Sequence, residues 1–346
     1  MTKPKPIGIG LVGLGRAGWG MHCEEIKGKE EMFRIAAVCD PIPERRRAAQ
    51  ERYGCPAYET LEALLDDGGV ELVDITTRSS DHCKHGVAAL AAGKHVFMEK
   101  PLALDYDEAL RLKAAAEASA GDLFVRHNRR FDPDFLHVRD IAESGMLGDV
   151  YEVKLRRHGY DRRDDWQTIK QFGGGQLLNW GPHIVDHALR LLGAPVEAMW
   201  SDLKRVAAVG DAEDHVKIVL RGANGRVVDL EISGGVALSS PLYTVYGTRG
   251  SLQATHKEIS LRYLDPEVPL ADKAADGGTP GAGASFGSRE TLRWKEETFP
   301  VAPAKRYDIW EELYRAIREG AEFPIALEEA VEVMRMISEA KRGTAF

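Results

Sequence analysis

Cysteine is scarce in this chain, with four in 346 residues: Cys23, Cys39, Cys55 and Cys83. They lie far apart and all in the first quarter, which excludes both a disulfide framework and a clustered zinc pattern and fits a reducing cytoplasm. No metal is expected. Long apolar runs are also missing. None approaches the ~20 residues that a membrane-spanning helix needs. The basic start, Met1 to Pro6, is followed by an apolar stretch broken by glycines, so neither a membrane span nor a signal peptide is expected. Positive charge is in deficit, 46 Lys and Arg against 54 Asp and Glu, for a net charge of −8. That balance argues against a nucleic-acid partner. Length sets no such restriction, because a chain of this size buries a sizeable core and predicts two domains.

Glycine is plentiful at 35 residues, and three of them stand in a telling place. The apolar run Ile7 to Val12 enters the turn Gly13-Leu14-Gly15-Arg16-Ala17-Gly18, and a helix is expected to follow. At that spacing Gly13 lets the chain turn, Gly15 leaves room for a pyrophosphate, and Gly18 lets the helix approach the strand. A flavodoxin-like or other α/β domain can carry such glycines merely as turn residues. The dinucleotide reading is favoured by the second apolar run, Phe33 to Cys39, which ends at Asp40, twenty-two residues after Gly18. An acid there accepts the two ribose hydroxyls and repels a 2′-phosphate, so NAD is expected ahead of NADP. Arg45, Arg46 and Arg47 lie close enough to keep NADP as the lesser alternative.

Strand and helix patterns alternate through residue 125. Helices are expected from Glu44 to Tyr53, Thr60 to Leu65, His82 to Ala92 and Tyr106 to Ala118, with strands Glu71–Thr76, Val96–Met98 and Leu123–Val125 between them. That order predicts a mostly parallel sheet covered on both faces, with ligands beyond the carboxyl ends of its strands. The residues just after the strands are therefore candidates for cofactor contact: Asp40, Thr76 and Thr77, Glu99 and Lys100, together with Arg16, Ala17 and His82. His82 and His85 have no third ligand nearby in sequence, so His82 reads as a turn cap or nucleotide contact. Lys100 is pinned between Glu99 and Pro101 at a strand end, where its ammonium can stabilise charge developing on a carbinol oxygen.

The pattern changes near residue 126. Pro133 opens a helix ending near Gly145, and strands follow at 150–158, 215–220, 226–232, 242–246, 250–254, 258–263 and 291–297. His183 and Asp186 fall on one face near the start of a helix from Pro182 to Leu192. Closing helices are expected at 307–319 and 327–342, the second with Val331, Met334 and Ile337 in the core. Residues 266–288, rich in glycine, read as a lid or a mobile excursion. The domains are accordingly 1–126, a Rossmann dinucleotide-binding unit, and 127–346, an α/β substrate-binding and oligomerisation unit. Strands from about 213 to 297 are expected to present an apolar face that a second subunit buries.

Taken together, Gly13 to Gly18, Glu99-Lys100-Pro101, Asn128-Arg129-Arg130-Phe131 and Gly181-Pro182-His183-Ile184-Val185-Asp186 give a chain that resembles the glucose–fructose oxidoreductase, inositol dehydrogenase and rhizopine-catabolism (Gfo/Idh/MocA) family over nearly its whole length. The resemblance implies a Rossmann domain joined to a second domain with an open, largely antiparallel sheet that often makes the oligomer contact, here a homodimer or homotetramer. It also implies hydride exchange between NAD or NADP and a hydroxyl or carbonyl of a sugar, cyclitol or related polyol. In that family the lysine of Glu-Lys-Pro works with a second-domain histidine, which assigns Lys100 and His183 as catalytic. Four residues before the histidine, where the family often has aspartate, this chain has Asn179, which hydrogen-bonds a hydroxyl but carries no charge.

The reading that follows is a dehydrogenase in which neutral His183 takes a hydroxyl proton while Lys100 steadies the alkoxide. Asn179, Arg156, Tyr160 and Trp166 are the expected substrate contacts. Two alternatives stand beside it. One is an enzyme that oxidises a sugar transiently with bound NAD so that a neighbouring bond is eliminated or hydrolysed. The other is a non-catalytic, nucleotide-sensing regulator.

Overall fold

The computed structural model describes residues 5–275, 277–279, 282, 283, 287, 290–303 and 307–346. Six strands form the first sheet: β1 (Ile7–Val12), β2 (Phe33–Cys39), β3 (Ala57–Tyr58), β4 (Leu72–Ile75), β5 (His95–Met98) and β6 (Leu123–Val125). All their pairings are parallel, in the order β3-β2-β1-β4-β5-β6. Every residue of β1 and β4 is buried, as a sheet covered on both faces requires. Strand order reverses between β1 and β4, so a crevice opens beyond Val12 and Ile75. The covering helices start on local capping signals. Asp105 accepts the Glu108 N–H at 2.8 Å before helix Tyr106–Glu117, and Thr60 accepts the Ala63 N–H before Leu61–Leu65.

The segment after the glycine turn departs from a plain α-helix. Gly18–His22 is a π-helical turn, closed by the His22 N–H on Ala17 O at 2.9 Å, and only Cys23–Glu25 continues as α-helix. The widened turn carries the His22 ring inward, toward β4 and β5.

The second sheet has eight strands: β7 (Val150–His158), β8 (Val196–Lys204), β9 (His215–Gly222), β10 (Val227–Ser233), β11 (Tyr243–Gly247), β12 (Gly250–Ala254), β13 (Glu258–Leu264) and β14 (Trp294–Pro300). Their order is β14-β13-β12-β11-β7-β10-β9-β8, antiparallel except for β7 beside β10. Edge strand β8 escapes the sequence reading because its alternation is blurred, with Glu197, Ala198 and Trp200 exposed. β14 runs three residues later than its sequence pattern suggests. Helices Gly181–Leu192 and Leu327–Lys341 cover one face, burying Val185, Leu191, Val333, Met334 and Ile337 against Leu155, Leu220 and Leu230. The opposite face is mostly charged, with Trp200 exposed at its edge, rather than the apolar surface expected. There Arg156 pairs with Asp229 at 2.6 Å, Lys217 with Asp229 at 3.2 Å, and His158 with Glu231 at 3.0 Å. The same alternation that puts leucine and valine inward puts these residues outward.

The chain then returns to its beginning. Helix Ile309–Glu319 lies on the first sheet, where buried Trp310 meets the ring of Phe97 at 5.1 Å and that of Phe33 at 5.5 Å, edge to face. Of the 266–288 segment, residues 276, 280, 281, 284–286 and 288 lie outside the described residues, and the remainder forms no helix or strand. Among the described residues no helix is long and apolar enough to cross a membrane.

Candidate active site

The glycine turn is shaped as its spacing implies. Gly13 adopts φ +96°, a conformation L side chains rarely take. A Cβ on Gly18 would lie 2.1 Å from Gly13 O, so only glycine allows the turn to close on itself. Thr76 latches that turn, donating its hydroxyl to Gly13 O at 2.6 Å. A Cβ on Gly15 would meet nothing nearer than Arg45 Nη1 at 4.0 Å, so open space lies beside this backbone, as a pyrophosphate requires. Asp40, 2 % exposed, ends β2 with its carboxylate fixed by the Leu14 N–H at 2.8 Å, the Ile42 N–H at 2.9 Å and Arg45 at 3.3 Å. Arg46 donates to the Asp40 carbonyl. The turn and the open space beside it fit an NAD(P) nucleotide, with the Asp40 carboxylate and Arg45 just after β2.

Beneath the crevice runs a chain of buried charges that sequence reasoning missed. His22 Nδ1 lies 2.8 Å from Asp74, and Nε2 lies 3.0 Å from Glu99. Ionised carboxylates only accept, so both ring nitrogens carry protons and the ring is an imidazolium. The two carboxylates overcome burial and hold its pKa up at about 9. Burial holds the Asp74 carboxyl above its ordinary value although the imidazolium pulls it down, whereas His22, Arg126 and Lys100 outweigh burial at Glu99 and hold it well below the usual carboxylate range. Arg126 continues the chain, donating to Glu99 at 2.7 Å and to Glu25 at 2.6 Å, and Glu25 also accepts the Trp310 indole N–H at 2.8 Å. The sequence signals were an aspartate inside the apolar run Leu72-Val73-Asp74-Ile75 and a histidine four residues after Gly18.

That chain ends at the candidate chemistry. Glu99 Oε2 accepts the Lys100 backbone N–H at 3.0 Å, and the Lys100–Pro101 peptide is cis. The Lys100 ammonium reaches across to the second domain, 3.0 Å from Asn179 O and 3.4 Å from Asn179 Oδ1. An ammonium has three protons, so one donor remains for a ligand. Burial pulls the Lys100 pKa down, with Arg129, Arg126 and Arg16 acting in the same sense. Lys100 and Asn179 line a cleft with Ala17, Thr77, Glu99 and Trp166, between the two domains. Gln167, absent from the sequence expectations, donates to Asn179 Oδ1 at 3.2 Å and fixes that side chain.

His183 is 5 % exposed, and its Nδ1 is buried without a hydrogen-bond partner among the described residues. Burial, then the positive charge of Lys100, hold its pKa well below the ordinary value, so the ring is a neutral imidazole. Asp186 faces away from this chemistry and forms a two-point clamp on Arg130 of the Asn-Arg-Arg-Phe turn, with Nε at 2.9 Å. His187 donates from Nε2 to Arg129 O at 2.8 Å and accepts the Tyr243 hydroxyl on Nδ1 at 3.0 Å. One helix thus presents His183 and braces the turn beside it.

The remaining expected contacts divide. Trp166 lines the cleft, whereas Tyr160 is 62 % exposed and bridges to Gly235. Arg156 stands on the open, charged face of β7, bound to Asp229, so strand alternation removes it from the cleft. Its neighbour Arg157 pairs in register with buried Ile232, on the face that the His183 helix covers, and lies over the Trp180 ring at 4.1 Å. His82 is buried, with Nδ1 2.6 Å from Pro101 O, and so braces the Glu-Lys-Pro turn from below. Among the described residues no group of three or more His, Cys, Asp or Glu could hold a metal ion.

Residues 7–127 match the model of an oxidoreductase family with an NAD-binding Rossmann fold, and residues 135–253 match the GFO/IDH/MocA C-terminal domain. The chain is 28% identical to scyllo-inositol 2-dehydrogenase (NADP(+)) IolW of Bacillus subtilis over 99% of its own length and 95% of the relative's. An uncharacterized oxidoreductase of Schizosaccharomyces pombe is 30% identical over 84% of this chain and 79% of its own length. Among solved structures, an NAD-binding protein from Listeria innocua superposes with a TM-score of 0.81 at 26% identity, covering 97% of both chains.

Proposed function

The chain belongs to the GFO/IDH/MocA family of oxidoreductases, with an NAD(P)-binding Rossmann domain, and from that premise we propose that it is a dehydrogenase or reductase of a secondary carbinol on a sugar, cyclitol or related polyol. The observation that carries the reading is the meeting of Lys100 and Asn179 in a cleft whose other wall is the nucleotide domain, with neutral His183 close enough to feel the lysine charge. The scyllo-inositol activity named for the Bacillus subtilis relative is of the same chemical class.

Bound nicotinamide supplies the hydride acceptor in oxidation, or the hydride donor in reduction. The chain's own residues handle the proton and the oxygen. His183, held neutral, takes the hydroxyl proton, and the free N–H of Lys100 bonds to the carbinol oxygen as negative charge develops on it. Asn179, held by Gln167, and Trp166 bind neighbouring hydroxyls and the ring face of the substrate. Asp40 accepts the ribose hydroxyls of NAD, the preferred cofactor, and Gly13, Gly15, Arg16, Ala17, Gly18, Thr76 and Thr77 surround the rest of the nucleotide. Residues 1–126 hold the nucleotide and 127–346 the substrate, in a cytoplasmic homodimer or homotetramer; the four free cysteines suit that compartment.

The test is NADH absorbance in both directions with inositols and aldoses, on the wild type, Lys100→Ala and His183→Ala. Each variant should lose about two orders of magnitude or more in turnover while binding NAD normally, as loss of a transition-state donor or base does. A Lys100→Ala enzyme that lost NAD affinity yet kept turnover at saturation would make Lys100 a nucleotide ligand and refute the assignment.

A further inference from the structure

Arg157 is half-buried at the end of β7, on the covered face of the second sheet. Its guanidinium lies 4.1 Å from the centre of the Trp180 ring, and Arg129 lies 4.5 Å from that ring's centre. The Trp180 ring stands edge to face with His183, 6.0 Å away. Arg129 has a counter-ion, Asp132, at 3.0 Å. Arg157 has neither ion-pair nor hydrogen-bond partner among the described residues, and burial and the Arg129 charge both work against its protonation. Arg129 and Arg157 thus both lie against the Trp180 ring that stands beside His183.

A half-buried guanidinium beside like charge is unfavourable unless something compensates it. The indole face compensates in part and also holds the fork in one orientation. Its N–H donors stay unmatched by the protein, and a planar fork matches a carboxylate with two parallel bonds. We infer that Arg157, set on the Trp180 ring beside His183, is an anion subsite and takes the carboxylate of an acidic sugar or cyclitol whose carbinol lies between Lys100 and His183. This deepens the proposed function and rests on it for the position of the carbinol. Neutral hexoses would leave the Arg157 charge uncompensated, so the acid is the better ligand.

The experiment is equilibrium binding to the NADH-loaded protein, by calorimetry, of the matched pairs D-glucuronate with D-glucose and D-galacturonate with D-galactose, alongside turnover of each sugar. At least one hexuronate should bind tenfold or more tightly than its neutral partner. Arg157→Gln should erase most of that ratio, and Arg157→Lys should recover part of it. Equal binding within both pairs, no binding of either acid at tens of millimolar, or an equal loss for acid and neutral partner in Arg157→Gln would overturn the subsite. Tighter binding of glucose 6-phosphate than of either hexuronate would overturn the carboxylate assignment. Turnover of neutral sugars without an acid preference removes the subsite and leaves the dehydrogenase; Arg157-dependent acid binding without NADH chemistry on any substrate does the reverse.

Discussion

Replacing His22 with asparagine should remove a specific pH dependence of stability. The imidazolium sits between Asp74 at 2.8 Å and Glu99 at 3.0 Å and is 1 % exposed. Its pKa rises from 6.5 in an open chain to about 9 in the fold. A group whose folded value exceeds its unfolded one contributes its full stability below the unfolded value and loses it as pH climbs through the folded one. Here that window runs from pH 6.5 to about 9, and the stability at stake is about 3 kcal/mol, from ~1.4 kcal/mol for each tenfold change in proton affinity. Asparagine donates to one carboxylate and leaves the other buried without its cation. The variant should therefore be ~3–5 kcal/mol less stable at pH 6.5, as for other broken buried ion pairs, and the difference should shrink as pH rises. Urea unfolding at pH 6.5, 7.5, 8.5 and 9, at constant ionic strength and with equal m-values, measures both curves. Titrations common to both proteins, such as those of the buried cysteines, cancel in the difference. Parallel curves across that range would refute the imidazolium reading.

Two further outcomes are expected. Asp40→Ser should narrow or reverse a preference for NAD over NADP in cofactor titrations, because it removes the like charge beside a 2′-phosphate while Arg45 and Arg46 stay close by; tighter NADPH than NADH binding by the unaltered protein would sink the preference. Sedimentation at micromolar concentration should show a dimer or tetramer. A monomer would reject that assembly.

Apart from the two-residue edge strand β3, which has no apolar run to mark it, the first sheet was legible because its strands are short apolar runs punctuated by Gly13, Asp40 and Pro101, residues whose positions follow from backbone and ligand demands. The second sheet was legible where alternation was clean, as in β9 and β10, and not at β8, an edge strand whose exposed positions include Ala198 and Trp200. At the site, proximity along the chain was a poor guide to direction. Arg156 and Arg157 look equivalent in sequence, yet strand alternation sends one to Asp229 and the other to Trp180. Gln167 reaches Asn179 through the irregular segment after β7, whose path no periodicity announces. The His22 chain was hidden because its partners come from β4, the end of β5 and a helix near the C-terminus, and only the folded sheet brings them together.

Helix Ile309–Glu319 has a bearing on how the protein is made. A ribosome extends the chain through all six parallel strands, and then through the entire eight-stranded sheet, before Trp310 emerges. Until then Phe33 and Phe97 lack the indole that covers them, and Glu25 lacks the N–H it accepts. The nucleotide-binding half, although its strands are synthesised first, is completed only after the second sheet has been made. Its covering helix follows β14 in the chain, so the first half cannot reach its native packing before the strands of the second have been translated.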